Sequence, residues 1–448
     1  MFSIPSSAKP VFMSLSGAFS ARTFRHVLVL MVGAILAPVR RTVTAALRAA
    51  GPLVEAHFST YHRVFSRARW SLWPLGKVLA TMVVSCIPAD QAVLVAADDT
   101  VVGHKGRKVY GKDKHRDAVR SSHSLTVWRW GHKWVVLAVL VPFPFAHRPW
   151  ALPVLAALYR SRQRNQAEGR RHKTPIDLAR QLMAALIHWF PQRNFVLLGD
   201  GGYASHELAR FCYDHRQHVT LISRFHPQAN LHAPPPKLRG QIGRPRQKGR
   251  KLPGPHQIVD RSPRQRATVG WYGGQNRRVD LVSRTGHWYK GGDGLVPIRW
   301  VFVHDVQGTH RDEYFYGTAP WLPPEAIVTL FTRRWSIEVT FEELRAHLGF
   351  ETPRNYVAPS VLRTAPCLLG LFSVVSLVFA QQARGHRIRV GQSQWYSKAE
   401  PTFSDALATV RRLFWAETIL QGSCTHNGLT KLKPRIRNLL LDFLSQAA

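Results

Sequence analysis

Acidic residues are scarce in this chain. Its 448 residues include 26 Asp and Glu against 62 Lys and Arg, a formal net charge of +36. This balance excludes an ordinary acidic metabolic enzyme and predicts a polyanionic partner, which could be nucleic acid, an anionic membrane or an acidic protein. Hydrophobic residues make up 45% of the chain, too many for a disordered basic tail. We therefore expect a folded protein of two to four domains, each of roughly 100–200 residues.

Cysteines and long apolar runs are also few. None of the four cysteines belongs to a CxxC pair, so the pattern favours neither a zinc ribbon nor a disulfide framework, and a reducing cytosol is expected. The longest apolar runs, 26–37 and 366–380, are shorter than the ~20 residues that span a bilayer, and we interpret both as buried helices. The first 25 residues do not have the pattern of a signal peptide.

The two ends of the chain have helical patterns. Residues 1–90 are predicted to be helical, with helices at 24–36 and 40–50, the second ending at Gly51. Their basic residues suit contact with duplex DNA, although a solvated helix face has the same composition. Residues 359–448 are also predicted to be helical.

The central part has the pattern of an α/β sheet. From Ala92, the run AVLVAADD is typical of a buried strand that ends in polar groups. Strands alternating with helices imply a mixed or parallel sheet. The further predictions are strands at 124–130, 134–141, 194–198 and 219–223, and helices at 175–190 and 205–216.

Residues 226–325 interrupt this alternation. The first part is a basic loop rich in proline and glycine, and the second alternates polar and apolar residues in short pieces. We expect a small antiparallel β insertion there. Pro323 and Pro324 then open one long helical pattern that continues to about Leu348.

Carboxylates follow two of the predicted strand patterns. Asp98 and Asp99 terminate AVLVAA, and Asp200 terminates NFVLLG. If the two strands are neighbours, their carboxylates meet at one edge and form an outline of a Mg²⁺ site. The alternative is that these Asp residues only cap the turns that follow.

A third carboxylate, Glu338, lies within the helical pattern 331–349. It follows Arg334 by four residues and precedes Arg345 by seven, so the three side chains share one helix face. Arg334 and Glu338 could form only an exposed ion pair. In the functional interpretation Glu338 binds metal, while Arg334 and Arg345 contact DNA phosphate.

These residues resemble the DDE transposases of bacterial insertion sequences, in the branch with a Tyr-x2-Arg-x3-Glu-x6-Lys signature on the glutamate helix. Here Phe331 replaces the tyrosine and Arg345 replaces the lysine. The resemblance continues in AADDT and in LLGDGGYAS, and it covers roughly residues 25–360.

The resemblance implies a ribonuclease-H-like core, a mixed sheet with flanking helices, interrupted by a β-rich insertion. The implied catalytic and metal-binding triad is Asp98, Asp200 and Glu338. Strand alternation directs Asp98 and Asp99 to opposite faces, and the family's Asp-x-Thr pattern favours Asp98. The implied chemistry is cleavage of phosphodiester bonds at transposon ends and strand transfer into target DNA, with two Mg²⁺ ions, or Mn²⁺ in their place.

The implied partners are double-stranded DNA, as terminal inverted repeats and target, and a second copy of the chain in a synaptic homodimer. We expect a bacterial cytoplasmic protein associated with the nucleoid and no membrane partner. The expected domains are a helical DNA-binding region 1–90, the first part of the core 91–225, the basic loop and β insertion 226–322, the glutamate helix 323–358, and a helical region 359–448 for dimerisation.

Candidate DNA contacts lie in two basic clusters. Arg244, Arg246 and Lys248 belong to a GRPRQK segment that resembles the Gly-Arg-Pro core of an AT-hook, although a solvated basic loop has the same composition. The second cluster, which could also be only solvated, follows the first carboxylates and contains Lys105, Arg107 and Lys108.

The resemblance implies that an aromatic residue of the insertion can stack on a flipped base. Three tryptophans there could have this role or belong to the core: Trp271, Trp288 and Trp300. Two other functions remain open at this point. One is a ribonuclease-H-like nuclease without strand transfer. The other is a non-catalytic DNA-binding protein, such as an inactive transposase remnant.

Replacing Arg244 and Arg246 by Gln tests the loop. If both arginines neutralise phosphates, the slope of log affinity for duplex DNA against log salt should become shallower by about 0.9 for each phosphate that is no longer neutralised. An unchanged slope would mean that the loop does not touch phosphate.

Overall fold

The computed structural model describes residues 4–117, 121, 124–236, 246–384, 390–391, 397–422 and 433–446. Within these ranges, strands form one mixed sheet and helices flank it. The strands are β1 Val93–Gly103, β2 Asp113–Arg116, β3 Trp128–Val141, β4 Trp150–Tyr159, β5 Phe195–Gly199, β6 Val219–Arg224, β7 Leu231–His232, β8 Gln265–Gly270, β9 Asn276–Lys290, β10 Gly294–Asp305 and β11 Glu313–Gly317.

The helices lie mainly at the two ends of the chain, with others between strands. They are α1 Lys9–Ser14, α2 Ala21–Leu36, α3 Val43–Ala50, α4 Phe58–Ser66, α5 Leu72–Val84, α6 Arg162–Ala167, α7 Pro175–Trp189, α8 His206–Asp214, α9 Pro255–Val259, α10 Pro324–Arg333, α11 Ser336–His347, α12 Ala358–Ala383, α13 Phe403–Gly422 and α14 Pro434–Gln446.

Capping side chains and a glycine mark the ends of α2 and α3. The hydroxyl of Ser20 accepts the Thr23 N–H at the start of α2, and that of Thr42 accepts the Ala45 N–H at the start of α3. Helix α3 ends at Gly51 as predicted. The backbone of Gly51 has a φ of 53°, which glycine adopts easily and which is strained for residues with a Cβ.

The core of the sheet has the order β4-β3-β1-β5-β6. Strands β4, β3 and β1 pair antiparallel, and β5 and β6 then continue parallel to β1. The predicted fold class of a mixed sheet with flanking helices is confirmed. The buried apolar residues of these strands form the centre of the main hydrophobic core.

Three strand predictions were wrong in their bounds. Strand β1 does not end at Asp98 and Asp99, because β-branched residues follow them and pair with β3 as far as Gly103. The two strands predicted around Gly131 are one strand, β3. Gly131 does not interrupt it but allows close packing, since an added Cβ would lie 2.1 Å from the Val102 carbonyl oxygen.

Strand β4 was missed entirely. Its residue Pro153 is typical of a strand breaker. In the structure Pro153 pairs with Ala138 at the point where the register between β3 and β4 shifts. A bulge in the ladder therefore accommodates the proline within a strand.

The β insertion extends the core sheet. Strand β11 pairs antiparallel with β6, and β10, β9 and β7 follow in order. The prediction of antiparallel strands is confirmed, but these strands do not form a separate sheet. Trp300 is fully buried, and Trp271 and Trp288 are partly buried against the same core.

The pattern after Pro323 forms two helices instead of one. Helix α10 ends at Arg333 and α11 begins at Ser336, with Arg334 and Trp335 between them in right-handed helical conformation. Arg334 therefore lies in the two-residue connection between α10 and α11.

The long helix α12 contacts β4, α13 and α5. Among the described helices it alone is long and apolar enough to cross a membrane, and 61% of its most apolar window is buried inside the fold. The run 366–380 is therefore part of a buried helix, as predicted.

A buried ion pair at the end of β10 gives a stability prediction. Asp305 is 2% exposed and accepts hydrogen bonds from Arg277 Nε (2.9 Å) and Nη2 (2.6 Å) and from the Thr309 N–H (2.9 Å). The Arg277 hydrogen bonds hold the pKa of Asp305 well below its usual value. The resulting stabilisation is present above the unfolded-state pKa of about 3.9 and is lost as the pH falls through the folded-state pKa.

We expect Asp305→Asn to lower the melting temperature at pH 7 by a few degrees, and the difference from wild type to shrink below about pH 4. Asp280→Asn is the control, because Asp280 pairs with Arg266, whose side chain is 63% exposed. That variant should melt close to wild type. Equal effects of the two substitutions, measured by thermal melts across this pH range, would contradict the prediction.

Candidate active site

Two carboxylates come together through the pairing of parallel strands. Ala97 of β1 is in register with Gly199 of β5, so Asp98 and Asp200 are the next residues on neighbouring strands. Asp200 also caps the turn that follows, because its Oδ1 accepts the Gly202 N–H at 2.8 Å. The capping and site interpretations of Asp200 are thus compatible.

Asp98 and Asp99 have different partners. Asp98 Oδ2 lies 3.1 Å from Arg334 Nη1, whereas Asp99 Oδ2 lies 3.0 Å from Lys133 Nζ. Strand alternation explains the separation, since successive side chains point to opposite faces. Asp98 is therefore the carboxylate that belongs with Arg334.

Arg334 links the carboxylate of β1 to that of α11. Its Nη2 donates to Glu338 Oε1 at 2.6 Å, while Nη1 donates to Asp98. The residue is only 6% exposed, and its guanidinium also lies over the ring of buried Phe331, 5.6 Å from the centroid. The three residues Asp98, Arg334 and Glu338 thus form a continuous chain of ion pairs.

The predicted phosphate contact of Arg334 stays a prediction, because in this structure its guanidinium is bound to two carboxylates. Arg345 is likewise engaged within the protein. Its Nη2 donates to the Thr100 hydroxyl, and its Nε lies 3.4 Å from Glu351. Glu351 was not singled out from the sequence, which has no motif that marks it.

Asp98, Asp99 and Asp200 concentrate negative charge at one place in a basic protein. Burial raises the pKa of Asp98 to about 7, the charge of Arg334 opposes the shift, and the neighbouring Asp200 adds to it. Burial also raises the pKa of Asp99, with Lys133 opposing. The carboxylates thus need nearby positive charge to be ionised together.

The chemistry of the donors fits a divalent metal, but their arrangement is not a closed metal site. Carboxylate oxygens are the ligands that Mg²⁺ prefers. Across the described ranges, no three His, Cys, Asp or Glu side chains are grouped so as to hold one ion. The guanidinium of Arg334 contacts one carboxylate oxygen of Asp98 and one of Glu338.

Of the predicted DNA-contact residues that the structure describes, Arg334 is buried and the others, Arg345 included, are exposed. Lys105, Arg107 and Lys108 follow β1 and are exposed. Lys105 and Arg107 line a cavity of about 790 Å³. In the other cluster Arg246 and Lys248 are exposed, while Arg244 lies outside the described residues.

A double-mutant cycle tests the Asp98–Arg334 pair. Arg334→Ala leaves the largely buried Asp98 without its cation, and we expect the free energy of unfolding to fall by up to about 3–5 kcal/mol. Asp98→Asn combined with Arg334→Ala should destabilise by less than the sum of the single variants, with a coupling energy of about 1–3 kcal/mol. Exposed Arg333→Ala serves as control. Additive effects in urea titrations would contradict direct pairing.

Comparisons with known proteins bear on the family. A family profile described as DDE superfamily endonuclease matches residues 14–278, more than half of the chain, a span that contains Asp98 and Asp200 and ends before Glu338. The search of curated proteins gives no match. A cryo-EM structure of the piggyBac transposase synaptic complex with hairpin DNA is similar at 12% identity and a TM-score of 0.42, over 98% of this chain and 81% of that chain. On the strength of the profile match, this chain belongs to the DDE superfamily of endonucleases.

Proposed function

We propose that the protein is a DNA transposase of a bacterial insertion sequence, which cleaves phosphodiester bonds at transposon ends and transfers the ends into target DNA. The observation that carries the proposal is the convergence of three carboxyl-bearing elements. Asp98 and Asp200 are adjacent on parallel strands, and Glu338 is joined to Asp98 through Arg334. Membership of an endonuclease family supports phosphodiester chemistry.

In this proposal Asp98, Asp200 and Glu338 hold two Mg²⁺ ions, or Mn²⁺ in their place. When bound, such ions activate water as a nucleophile and stabilise the charge of the leaving oxygen. The strand pairing holds Asp98 and Asp200 side by side on rigid backbone, which limits the motion of their carboxylates. Helix α11 brings Glu338, whose side chain is 46% exposed, to the same arginine that contacts Asp98.

Arg334 has a second role in this proposal. It supplies positive charge to Asp98 and Glu338 while no other cation is present, and it must release their oxygens when a metal binds. The guanidinium is then free to approach a DNA phosphate, which is the contact that the sequence predicts for Arg334.

The surrounding basic residues are proposed to bind the DNA backbone. The exposed ones, Lys105, Arg107, Lys108, Arg246 and Lys248, together with Arg244, are suited to contact phosphate in the duplex. Arg345, held between Thr100 and Glu351, lies nearer the carboxylates. We propose terminal inverted repeats and target DNA as the substrates, a synaptic homodimer as the assembly, and the bacterial nucleoid as the location.

Two alternatives have observations in their favour. The family description names an endonuclease, which also fits a nuclease that cuts without strand transfer. The lack of a grouped three-carboxylate set within the described part of the chain fits a non-catalytic DNA-binding protein.

Substitution of the carboxylates separates these functions. Asp200→Ala and Glu338→Ala should each abolish Mg²⁺-dependent cleavage and joining of a terminal-repeat duplex, with DNA affinity at fixed salt retained. Glu342→Ala is the control for Glu338, because Glu342 is an exposed residue of the same helix. Asp99→Asn is the control for Asp98→Asn, and only the latter should remove activity.

Each outcome selects one function. Cleavage that survives in the Asp200 and Glu338 variants would disprove the site. Cleavage by wild type without joining would favour the nuclease, and DNA binding without any metal-dependent reaction would favour the non-catalytic protein.

A further inference from the structure

Two neighbouring tryptophans on β3 are exposed. Trp128 is 54% exposed and Trp130 is 53% exposed, although both belong to a strand whose later residues are almost fully buried. Exposed aromatic side chains grouped together commonly mark a binding surface. Neither residue was singled out by the sequence motifs.

The spacing of the two rings suits flat aromatic ligands. Residues i and i+2 of a strand point to the same face and lie about 6.7 Å apart along it. Stacked DNA bases are about 3.4 Å apart. A base can therefore stack on either ring, or fit between the two.

A lysine ammonium group lies over each of the two tryptophan rings. Lys112 Nζ lies 5.4 Å from the ring centroid of Trp130, and Lys114 Nζ lies 5.4 Å from that of Trp128. Lys114 and Arg116 of β2 are directly opposite Trp130 and Trp128 in the ladder. Positively charged side chains therefore lie beside both tryptophan rings.

Trp130 also borders the basic cavity of about 790 Å³ that Lys105 and Arg107 line. One carboxylate, Glu351, lines this cavity, and it is paired with Arg129 and Arg345. The cavity therefore carries an excess of positive charge that suits phosphate groups. Its cationic lining residues are Lys105, Arg107, Lys112, Arg129, Arg164 and Arg354.

The strand register relates this surface to the carboxylates. Asp98 is opposite Val136 of β3, and Trp130 is six residues earlier on the same strand. An even number of residues places Trp130 on the same face of the sheet as Asp98, at a distance of about 20 Å along the strand. This distance corresponds to a few nucleotides of DNA.

We propose that Trp128, Trp130 and the adjoining basic cavity bind unpaired nucleotides of the DNA substrate, with bases stacked on the tryptophans and phosphates in the cavity. The bases are unpaired because in a duplex each base is stacked between its neighbours and its faces are not accessible. The proposal rests on the proposed function in that DNA is the substrate, and it adds a site for single-stranded DNA on the same face of the sheet as Asp98.

The test compares two forms of one oligonucleotide. Fluorescence anisotropy with the full chain at fixed salt gives the affinity for a labelled single strand and for the same sequence as duplex. Trp128→Ala and Trp130→Ala should each weaken single-strand binding by between about fivefold and a hundredfold, and leave duplex affinity within about twofold. Trp128→Phe and Trp130→Phe should restore most of the single-strand affinity, because an aromatic face remains.

Trp321→Ala is the matched control, since Trp321 is 72% exposed and lies outside this surface. It should change neither affinity. Thermal melts of each variant show whether the fold is retained.

Single-strand affinity that is unchanged in folded Ala variants would overturn the proposal, and so would an equal weakening for duplex and single strand. The proposed function fails by a different result, the absence of Mg²⁺-dependent cleavage by wild type. That result leaves the comparison of single-strand affinities intact, so the two failures are distinguishable.

Discussion

The guanidinium of Arg334 is the positive charge on which the arrangement of the carboxylates depends. Asp98 is largely buried beside Asp200, with its side chain 15% exposed, and an ionised carboxyl in that position is unfavourable without a nearby cation. Arg334 supplies the charge and at the same time reaches Glu338, so it joins β1 to α11. The break between α10 and α11 puts Arg334 where it can contact both elements. The same side chain of Arg334 therefore compensates the charge of Asp98 and holds α11 against β1.

The acids of the site and the basic residues that follow β1 are separated in the structure. The acids of the site lie on β1, directly after β5 and on α11. Arg334 is buried, whereas the basic residues that follow β1, Lys105, Arg107 and Lys108, are exposed. A uniformly cationic protein could attract DNA by release of counterions but would have no place for a divalent cation. The basic cavity beside Trp130 lies at the far end of β1, so one strand connects the carboxylates with a surface suited to phosphate. The sheet thereby fixes the distance between the two.

Much of the fold could be predicted from local pattern. Helix α7 begins one residue after Thr174, whose capping box with Asp177 is encoded within four residues. The errors occurred where tertiary pairing overrides local preference. Gly131 and Pro153 are typical of strand ends, but both lie inside strands because their neighbours in the sheet accommodate them. For the same reason the extension of the core sheet by β11 was not predicted.

The sequence by itself determined that the protein is basic and folded, and that a few carboxylates follow strand patterns, because composition and periodicity are properties of the local chain. The resemblance to a transposase family indicated which of them to consider. Only the tertiary structure decided that Asp98 and not Asp99 pairs with Arg334, that Arg334 is buried, and that Trp128 and Trp130 are exposed beside a basic cavity. These facts depend on which residues meet across strands and helices far apart in sequence.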